Sequence, residues 1–323
     1  MSRTRLYRDG VLAKENFPVA DISDYLPEPG AVIWLDMCAP TEDDLAAISE
    51  ELGLHRLAVE DAVQKHERSK LDRYDTHSFL TAYAVHLDEK TGVLSDTELA
   101  VFITKKALVT VRKSEDFAIG EVVERWDASS ELAGHGVGFL LHGLLDYVVD
   151  GYFESVQSLD EQIEALEDMV FAPRVDHKDM QRRSLALRKS LVMLRRVVLP
   201  MREVVNALMR PDLALADETM RPYYQDVYDH VLRASEWTES LRDLVTTIRE
   251  TQLTIQGNRL NSIMKKVTSW AAIIAVPTAV TGFYGQNVPY PGFEQLTGFW
   301  VSSAVIVGIS LGLYVLFRRN DWL

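Results

Sequence analysis

The sequence is poor in cysteine and in basic residues. Cys38 is the single cysteine in 323 residues, which excludes an internal disulfide framework and leaves a cysteine-based metal site without a partner. Lys and Arg number 34 against 48 Asp and Glu, and the formal net charge is −14. A chain this acidic is a poor partner for nucleic acid and concentrates cations near its surface.

Motifs of common enzymes are also missing. The chain has no Gly-rich phosphate cradle and no His-x-x-x-His pair, and we expect no hydrolase-type nucleophile elbow. The eight His residues are scattered. His135 and His142 lie seven residues apart and could share a helix face, but no third ligand accompanies them. We therefore expect neither catalytic activity nor an organic cofactor.

Charge is absent from two long apolar runs near the C-terminus, at residues 267–284 and 299–317. As helices at about 1.5 Å per residue, each spans roughly 27–29 Å, close to the ~30 Å hydrocarbon core of a bilayer. The alternative is a pair of buried helices in a soluble domain. We predict a membrane hairpin with a connecting loop at 285–298.

The charges that flank the two runs orient the hairpin. Lys265 and Lys266 precede the first run, Arg318 and Arg319 follow the second, and the loop contains a single acid, Glu294, and no base. Under the positive-inside rule both chain ends lie in the cytoplasm. The N-terminal residues lack the apolar core of a cleavable signal peptide, so we expect insertion to depend on the hairpin.

Residues 1–135 combine strand and helix signals, which predicts a cytosolic α/β domain. Thr41, followed by three acidic residues, suits a helix N-cap, and Gly53 suits the end of the same helix. The polar stretch 57–74 predicts a helix followed by a loop. Runs of aromatic and β-branched residues predict strands at 31–36, 78–87, 99–104 and 107–112.

Helical signals dominate from residue 136 onward. Apolar residues recur at helical spacing in 139–170 and again in 178–209. A third helix begins near Pro222, a favoured first helical position, and meets no residue that forces a break before Pro277. We predict that this third helix continues to the end of the first apolar run.

The third helix has two different faces. Positions 227–255 form a mostly apolar seam at heptad spacing, which favours packing against neighbouring helices or other copies of the chain, so we expect an oligomer. Further on, one stripe has small, weakly polar or apolar side chains and no ionisable group. The stripe consists of Asn261, Met264, Val267, Ala271, Ala275 and Thr278. On spacing alone, close helix packing explains this stripe better than a pore does.

The end of the first apolar run resembles the CorA family of divalent-cation channels. Tyr284-Gly285-Gln286-Asn287 stands where the family has Tyr-Gly-Met-Asn, with Pro277-Thr278 upstream and a basic-aromatic ending at 318–323. The cytosolic stretches 57–74 and 97–103 are also similar to CorA. The resemblance covers almost the whole chain in the family's order. That order is a cytosolic α/β domain at 1–135, a helical stalk at 136–257 and a transmembrane hairpin at 258–323.

The resemblance implies a homopentameric, funnel-shaped Mg²⁺ channel of the cytoplasmic membrane that also passes Co²⁺ or Ni²⁺. Gly285, Gln286 and Asn287 would form its selectivity filter, with Asn287 ringing the outer mouth and binding the hydrated ion. The stripe would then line the pore, and Glu294 would draw cations toward the mouth. Cytosolic Mg²⁺ would close the channel by bridging carboxylates of neighbouring subunits. The candidate carboxylates are Asp226, Asp229, Asp88 and Glu89.

Gln286 departs from the family pattern, because magnesium members usually have Met at this position. The related ZntB zinc transporters also vary it while they keep Gly and Asn. A ZntB-like zinc transporter is therefore the nearest alternative. An alternative from another class is a membrane-anchored sensor or scaffold, in which the hairpin only tethers the acidic domain. The two classes differ at Asn287, because a tether tolerates Asn287→Ala whereas a filter loses transport.

Overall fold

A computed structural model describes residues 2–64, 68–171, 177–213, 215–286 and 289–323. The chain forms two structural units, Met1–Thr247 and Ile248–Leu323. The division at residues 135 and 257 that the sequence predicts stays a prediction.

The first unit is built on a seven-stranded sheet in the order β2-β1-β3-β7-β6-β5-β4. Strands β3 and β7 pair in parallel, and the other neighbours pair antiparallel. The strands are β1 (Ser2–Arg8), β2 (Val11–Glu15), β3 (Ala31–Cys38), β4 (Lys70–Arg73), β5 (Ser78–Asp88), β6 (Val93–Ile103) and β7 (Ala107–Arg112). Apolar side chains from the central strands, among them Leu35, Phe79 and Phe102, are fully buried and form the core.

Short helices flank the sheet. They are α1 (Ile22–Tyr25), α2 (Glu42–Leu52), α3 (Arg56–Val63) and α4 (Ile119–Ala128). The predicted caps of α2 are confirmed: the backbone N–H of Asp44 donates to Thr41 Oγ1 at 3.2 Å, and the Asp44 carboxylate accepts the Thr41 N–H at 2.9 Å. Gly53 ends the helix at φ 61°, in the left-handed region that glycine adopts without strain.

The sequence prediction misses both edges of the sheet and helix α4. Strand β4 lies within the stretch 57–74, whose second half was predicted to be a loop, and that part of the prediction is wrong. Its residues are polar because it is an edge strand that pairs with β5 alone, through Leu71 opposite Leu80. Strands β1 and β2 form the other edge, and β6 begins six residues before the predicted strand 99–104.

Three long helices complete the α-helical part, as predicted. Their first and last residues lie within two positions of the predicted ends. They are α5 (Val137–Phe171), α6 (His177–Leu208) and α7 (Arg221–Tyr284). Helix α5 packs on the sheet, where Tyr152 Oη donates to the carbonyl of Tyr83 at 2.6 Å. Helix α7 packs on α5, where Tyr224 Oη donates to the carbonyl of Gly138 at 2.8 Å.

The first part of the heptad seam of α7, from Val227 to Val245, is buried inside a single chain. Val227, Val231, Ala234, Thr238, Leu241 and Val245 are each at most 4% exposed. Contacts such as that between the rings of Phe153 and Trp237, whose centroids are 5.4 Å apart, show that α5 covers this side. This part of the seam therefore packs against its own chain, and it provides no argument for an oligomer.

The second unit contains the C-terminal part of α7 and helix α8 (Leu296–Arg319), which begins three residues before the predicted run. Both helices are long and apolar enough to cross a membrane. In the most apolar 18-residue stretch of each helix, 6% of α7 and 0% of α8 is buried. A pair of core helices in a soluble domain would be buried, so that alternative is wrong. The exposed apolar surface fits a lipid environment.

Candidate functional site

The stripe on α7 faces outward along its whole length. Its six members are all exposed in the single chain, with Met264 63% and Val267 60% accessible. The half-buried side chains of the same segment are Ala272, Ile273, Val276, Pro277, Val280 and Tyr284. With 3.6 residues per turn, these two sets lie on opposite sides of the helix. Helix α7 thus presents a charge-free stripe on the face that the unit leaves uncovered.

Helix α7 ends at Tyr284, directly before the predicted filter residues. The backbone N–H of Gly285 donates to the carbonyl of Thr281 at 2.8 Å, and that of Gln286 donates to Phe283 at 3.3 Å. A Cβ at Gly285 would lie 3.0 Å from the Thr281 carbonyl oxygen, so glycine relieves a tight contact here. Asn287 lies outside the described residues, and the filter stays a prediction.

An aromatic cluster that the sequence prediction missed surrounds this helix end. Tyr290 Oη donates to the carbonyl of Tyr284 at 2.9 Å, and their ring centroids are 4.9 Å apart. Phe283 and Phe293 contact Tyr290 at 6.2 and 5.2 Å. The sequence signal that could have predicted this cluster is the presence of four aromatic residues within eleven positions. Glu294 follows the cluster and is exposed, which leaves its proposed attraction for cations a prediction.

A second polar site lies in the first unit, between α5 and α7. Asp146 and Asp150 sit four residues apart on one face of α5, and His230 faces them from α7. One ligand atom from each of the three residues lies within 4.8 Å of the other two. The three residues are called the cation cluster below. Sequence reasoning missed it because it followed only the apolar positions of α5.

The electrostatics of the cation cluster favour a bound positive charge. Burial raises the pKa of Asp146, and the neighbouring Asp150 carboxylate adds to that shift. Arg125 Nη1 lies 3.1 Å from Asp146 Oδ2 and 2.6 Å from Asp150 Oδ2. Burial opposes the charge of Arg125, yet its pKa is raised because the hydrogen bonds and negative charges of Asp150 and Asp146 together outweigh that effect. Asp226 Oδ2 approaches His230 Nε2 at 3.9 Å from outside the cluster.

The residues of the cation cluster fit a divalent metal ion. Ligands at about 2.1 Å place opposite donor atoms about 4.2 Å apart, so small side-chain movements would close the set around an ion. Two carboxylates supply the oxygen ligands that Mg²⁺ prefers, and the imidazole of His230 adds a donor that suits Co²⁺, Ni²⁺ or Zn²⁺.

None of the four predicted regulatory carboxylates belongs to this cluster. Asp88 accepts hydrogen bonds from Thr91 Oγ1 at 2.8 Å and from the backbone N–H of Lys90 at 2.9 Å, which lower its pKa and shape the turn after β5. Glu89 lines a separate cavity of about 400 Å³ beside α5. Asp229 is exposed and accepts a hydrogen bond from Gln225 Nε2 at 3.0 Å. Asp226 alone among the four approaches the cluster.

Two enzyme-like sequence features have structural explanations. His135 lies before α5 begins, where its Nδ1 is 2.7 Å from Asp217 Oδ2, so it shares no helix face with His142 and that expectation is wrong. His142 packs against the rings of Tyr223 and Tyr224. The pattern Gly308-Ile-Ser-Leu-Gly312 has the spacing of a nucleophile elbow, but it lies inside α8 and not at a strand-to-helix turn.

Fold and sites together define an integral membrane protein with an acidic α/β unit and two apolar C-terminal helices. The sequence profile of the CorA-like Mg2+ transporter family matches residues 29–319, and the chain belongs to that family. The protein is thus a divalent-cation transporter of the CorA family, and its family does not consist of enzymes.

Individual relatives agree with this assignment. The cobalt/magnesium transport protein CorA of Thermotoga maritima is 28% identical over 319 residues, which cover 95% of this chain and 88% of that protein. The complete structure of the CorA magnesium transporter of Methanocaldococcus jannaschii has the same fold, with a TM-score of 0.83, 24% identity and coverage of 100% and 99%. The cytoplasmic domain of ZntB from Vibrio parahaemolyticus also shares the fold, at a TM-score of 0.60, 14% identity and coverage of 80% and 98%.

Proposed function

We propose that the chain forms a homopentameric channel through which Mg²⁺ enters the cytoplasm, driven by its concentration gradient and the membrane potential. The observation that carries the proposal is the stripe on α7, which is charge-free, exposed in the single chain and opposite the half-buried face of the helix. In a ring of copies such a stripe would line the central path. The resemblance to CorA and the names of the relatives support Mg²⁺, with Co²⁺ as a second ion.

The orientation of the channel follows from its flanking charges. Lys265 and Lys266 lie before the first span, and Arg318 and Arg319 follow the second. Under the positive-inside rule, both chain ends would lie in the cytoplasm. The loop that contains Glu294 would then face outward, and the protein would lie in the cytoplasmic membrane.

The chemistry of the proposed pore suits a hydrated ion. Mg²⁺ gives up its water reluctantly, and a ring of Asn287 carboxamides would accept hydrogen bonds from the bound waters without removing them. Neutral ligands would bind the ion weakly enough for it to leave, as conduction requires. Gly285 and Gln286 would complete the filter. Deeper in the pore, Met264 and Val267 would form an apolar constriction that gates by dewetting.

Cytosolic divalent cation would regulate the channel through the cation cluster. An ion shared by Asp146, Asp150 and His230 would tie α7 to α5, and its loss would release His230 and with it this part of α7. Asp226, one turn before His230, would strengthen the site electrostatically. Bridging of Asp226 and Asp229 to Asp88 and Glu89 of a neighbouring subunit stays a separate proposal.

Flux into proteoliposomes tests the channel. Liposomes loaded with Mg²⁺- and Zn²⁺-sensitive dyes receive the wild type or Asn287→Ala, with assembly checked by size-exclusion chromatography. We expect voltage-driven Mg²⁺ entry in the wild type and its loss in an intact Asn287→Ala oligomer. Gln295→Ala, an exposed amide of the same loop, is the matched control and should retain flux.

Two other outcomes would replace the proposal. Zn²⁺ entry that needs a pH gradient, without a Mg²⁺ signal, would favour the ZntB-like alternative that Gln286 leaves open. No flux of either ion from a well-folded oligomer would contradict transport by this chain alone and favour the anchored sensor.

A further inference from the structure

Arg125 already places a positive charge inside the cation cluster. It comes from the last turn of α4, and its Nη1 atom contacts one oxygen of Asp146 and one of Asp150, at 3.1 and 2.6 Å. Arg125 thus already pairs with both carboxylates that a divalent metal ion would need as ligands. The guanidinium and a metal ion therefore compete for the same two negative charges.

The surroundings offer Arg125 a second position. A cavity of about 290 Å³ adjoins it, lined by the carboxylates of Asp116, Glu121 and Glu154. The guanidinium lies 5.0 Å from the centroid of the Tyr147 ring, and Tyr147 Oη donates to Glu121 Oε2 at 3.1 Å. A displaced guanidinium would keep the aromatic contact and reach another carboxylate, so it would not be left unpaired.

We propose that Arg125 is a tethered competitor of the cytosolic divalent cation and sets the concentration at which the cation cluster fills. The proposal rests on the regulatory function proposed above for this cluster. Without metal, the guanidinium neutralises Asp146 and Asp150. When metal binds, the guanidinium moves toward Glu121 and Glu154. The cluster thus exchanges one cation for another, and a low concentration of divalent ion does not displace Arg125.

The two roles that Arg125 could have differ in their effect on metal affinity. An Arg that merely built the site would have to be present for metal to bind, and its removal would weaken binding. An Arg that competes for the site must be displaced first, and its removal strengthens binding. The sign of the change in Kd therefore separates the two roles.

Isothermal titration of the detergent-solubilised full chain with Co²⁺ and with Mg²⁺ measures this sign without any transport. Arg125→Gln should bind about tenfold more tightly than the wild type, because a nearby competing charge is gone. Arg195→Gln is the matched control, since Arg195 is an exposed arginine of the same unit that pairs with Glu239 at 3.0 Å, and its Kd should not change. Asp150→Asn should lose binding to the cluster.

Arg125→Lys supplies a second test if Arg125→Gln does not fold. The ammonium keeps the charge but is a more strongly hydrated group on a flexible stem, so it should hold the two carboxylates less firmly, and we expect metal binding about threefold tighter than in the wild type. Unchanged or weaker binding in the folded Arg125 variants, with binding lost in Asp150→Asn, would overturn the competitor and leave the cation cluster standing. Unchanged binding in Asp150→Asn would overturn the cation cluster itself, and the competitor with it.

Discussion

The two parts of helix α7 bear apolar residues at similar spacing, but these residues are buried in the first part and exposed in the second. Between Val227 and Val245 the apolar seam is at most 4% exposed and packs inside its own chain. Between Met264 and Thr278 the stripe is exposed in full. The periodicity of a helix therefore reports that one face is apolar, and it does not report what covers that face.

The difference follows from what each part has available to pack against. The first part lies beside α5, whose contacts with it include the Tyr224–Gly138 hydrogen bond and the pairing of Phe153 with Trp237. The stripe lies opposite the half-buried face of the second unit, so no part of the described chain covers it. Folding of one chain buries the apolar face of the first part. The exposed face of the second part must instead contact lipid, water or another copy of the chain.

A buried charge in the first part of α7 should destabilise the protein most strongly. Val231→Asp places a carboxylate among fully buried side chains, and we expect it to lower the free energy of unfolding of the first unit by about 4 kcal/mol or more. Thr246→Asp places the same charge on an exposed position of the same helix, and its effect should stay within about 0.5 kcal/mol. Thermal unfolding in detergent measures both. Equal losses would show that helix disruption, and not burial, is responsible.

Thiol accessibility should separate the stripe from the opposite face of the second part. In a Cys38→Ser background, Ala275→Cys should react with a water-soluble methanethiosulfonate at least about tenfold faster than Ala272→Cys, because the proposed water-filled pore would expose the stripe. The reaction should also block Mg²⁺ flux in the Ala275 variant alone. Faster reaction at position 272 would place the water path on the other face of α7.

Acid should slightly reduce the stability that Asp217 contributes at the start of α7. The backbone N–H of Met220 and then His135 lower the pKa of Asp217, which lies just before α7 and whose backbone carbonyl accepts the N–H of Arg221. A lowered folded-state pKa stabilises the protein above the ordinary value of about 3.9, and this contribution is lost as the pH falls through the folded-state pKa.

Asp217→Asn should remove that contribution. Since the side chain is 52% exposed, we expect a loss of about 0.5–1 kcal/mol at pH 6 that shrinks below pH 4. Melting curves between pH 6 and 3 measure it, with Glu218→Gln as a control on the adjacent exposed acid. A loss that persists unchanged at pH 3 would contradict the assigned cause.

Much of the fold could be predicted because local signals were strong. Thr41 and Gly53 mark both ends of α2, and apolar periodicity places α5 and α6 within two residues. Strand β4 could not be predicted, because four mostly polar residues form a strand only when β5 provides its hydrogen-bonding partner. Edge strands depend on their neighbours more than on their own composition.

The candidate sites divide in the same way. The stripe could be read from the sequence, because its members lie on one helix at regular spacing. The cation cluster could not, because His230 follows Asp150 by eighty residues and Arg125 comes from a third helix. Conversely, Asp88 looked like a candidate ligand in the sequence, and the structure shows it holding a turn.

By itself, the sequence determined the membrane hairpin, the order of helices and the family, because charge-free runs and local motifs need no tertiary partner to be recognised. The tertiary structure alone decided which apolar face of α7 is covered and which acids of α5 meet His230. Both depend on contacts between residues far apart in the chain, and such contacts arise only when the helices and the sheet pack together.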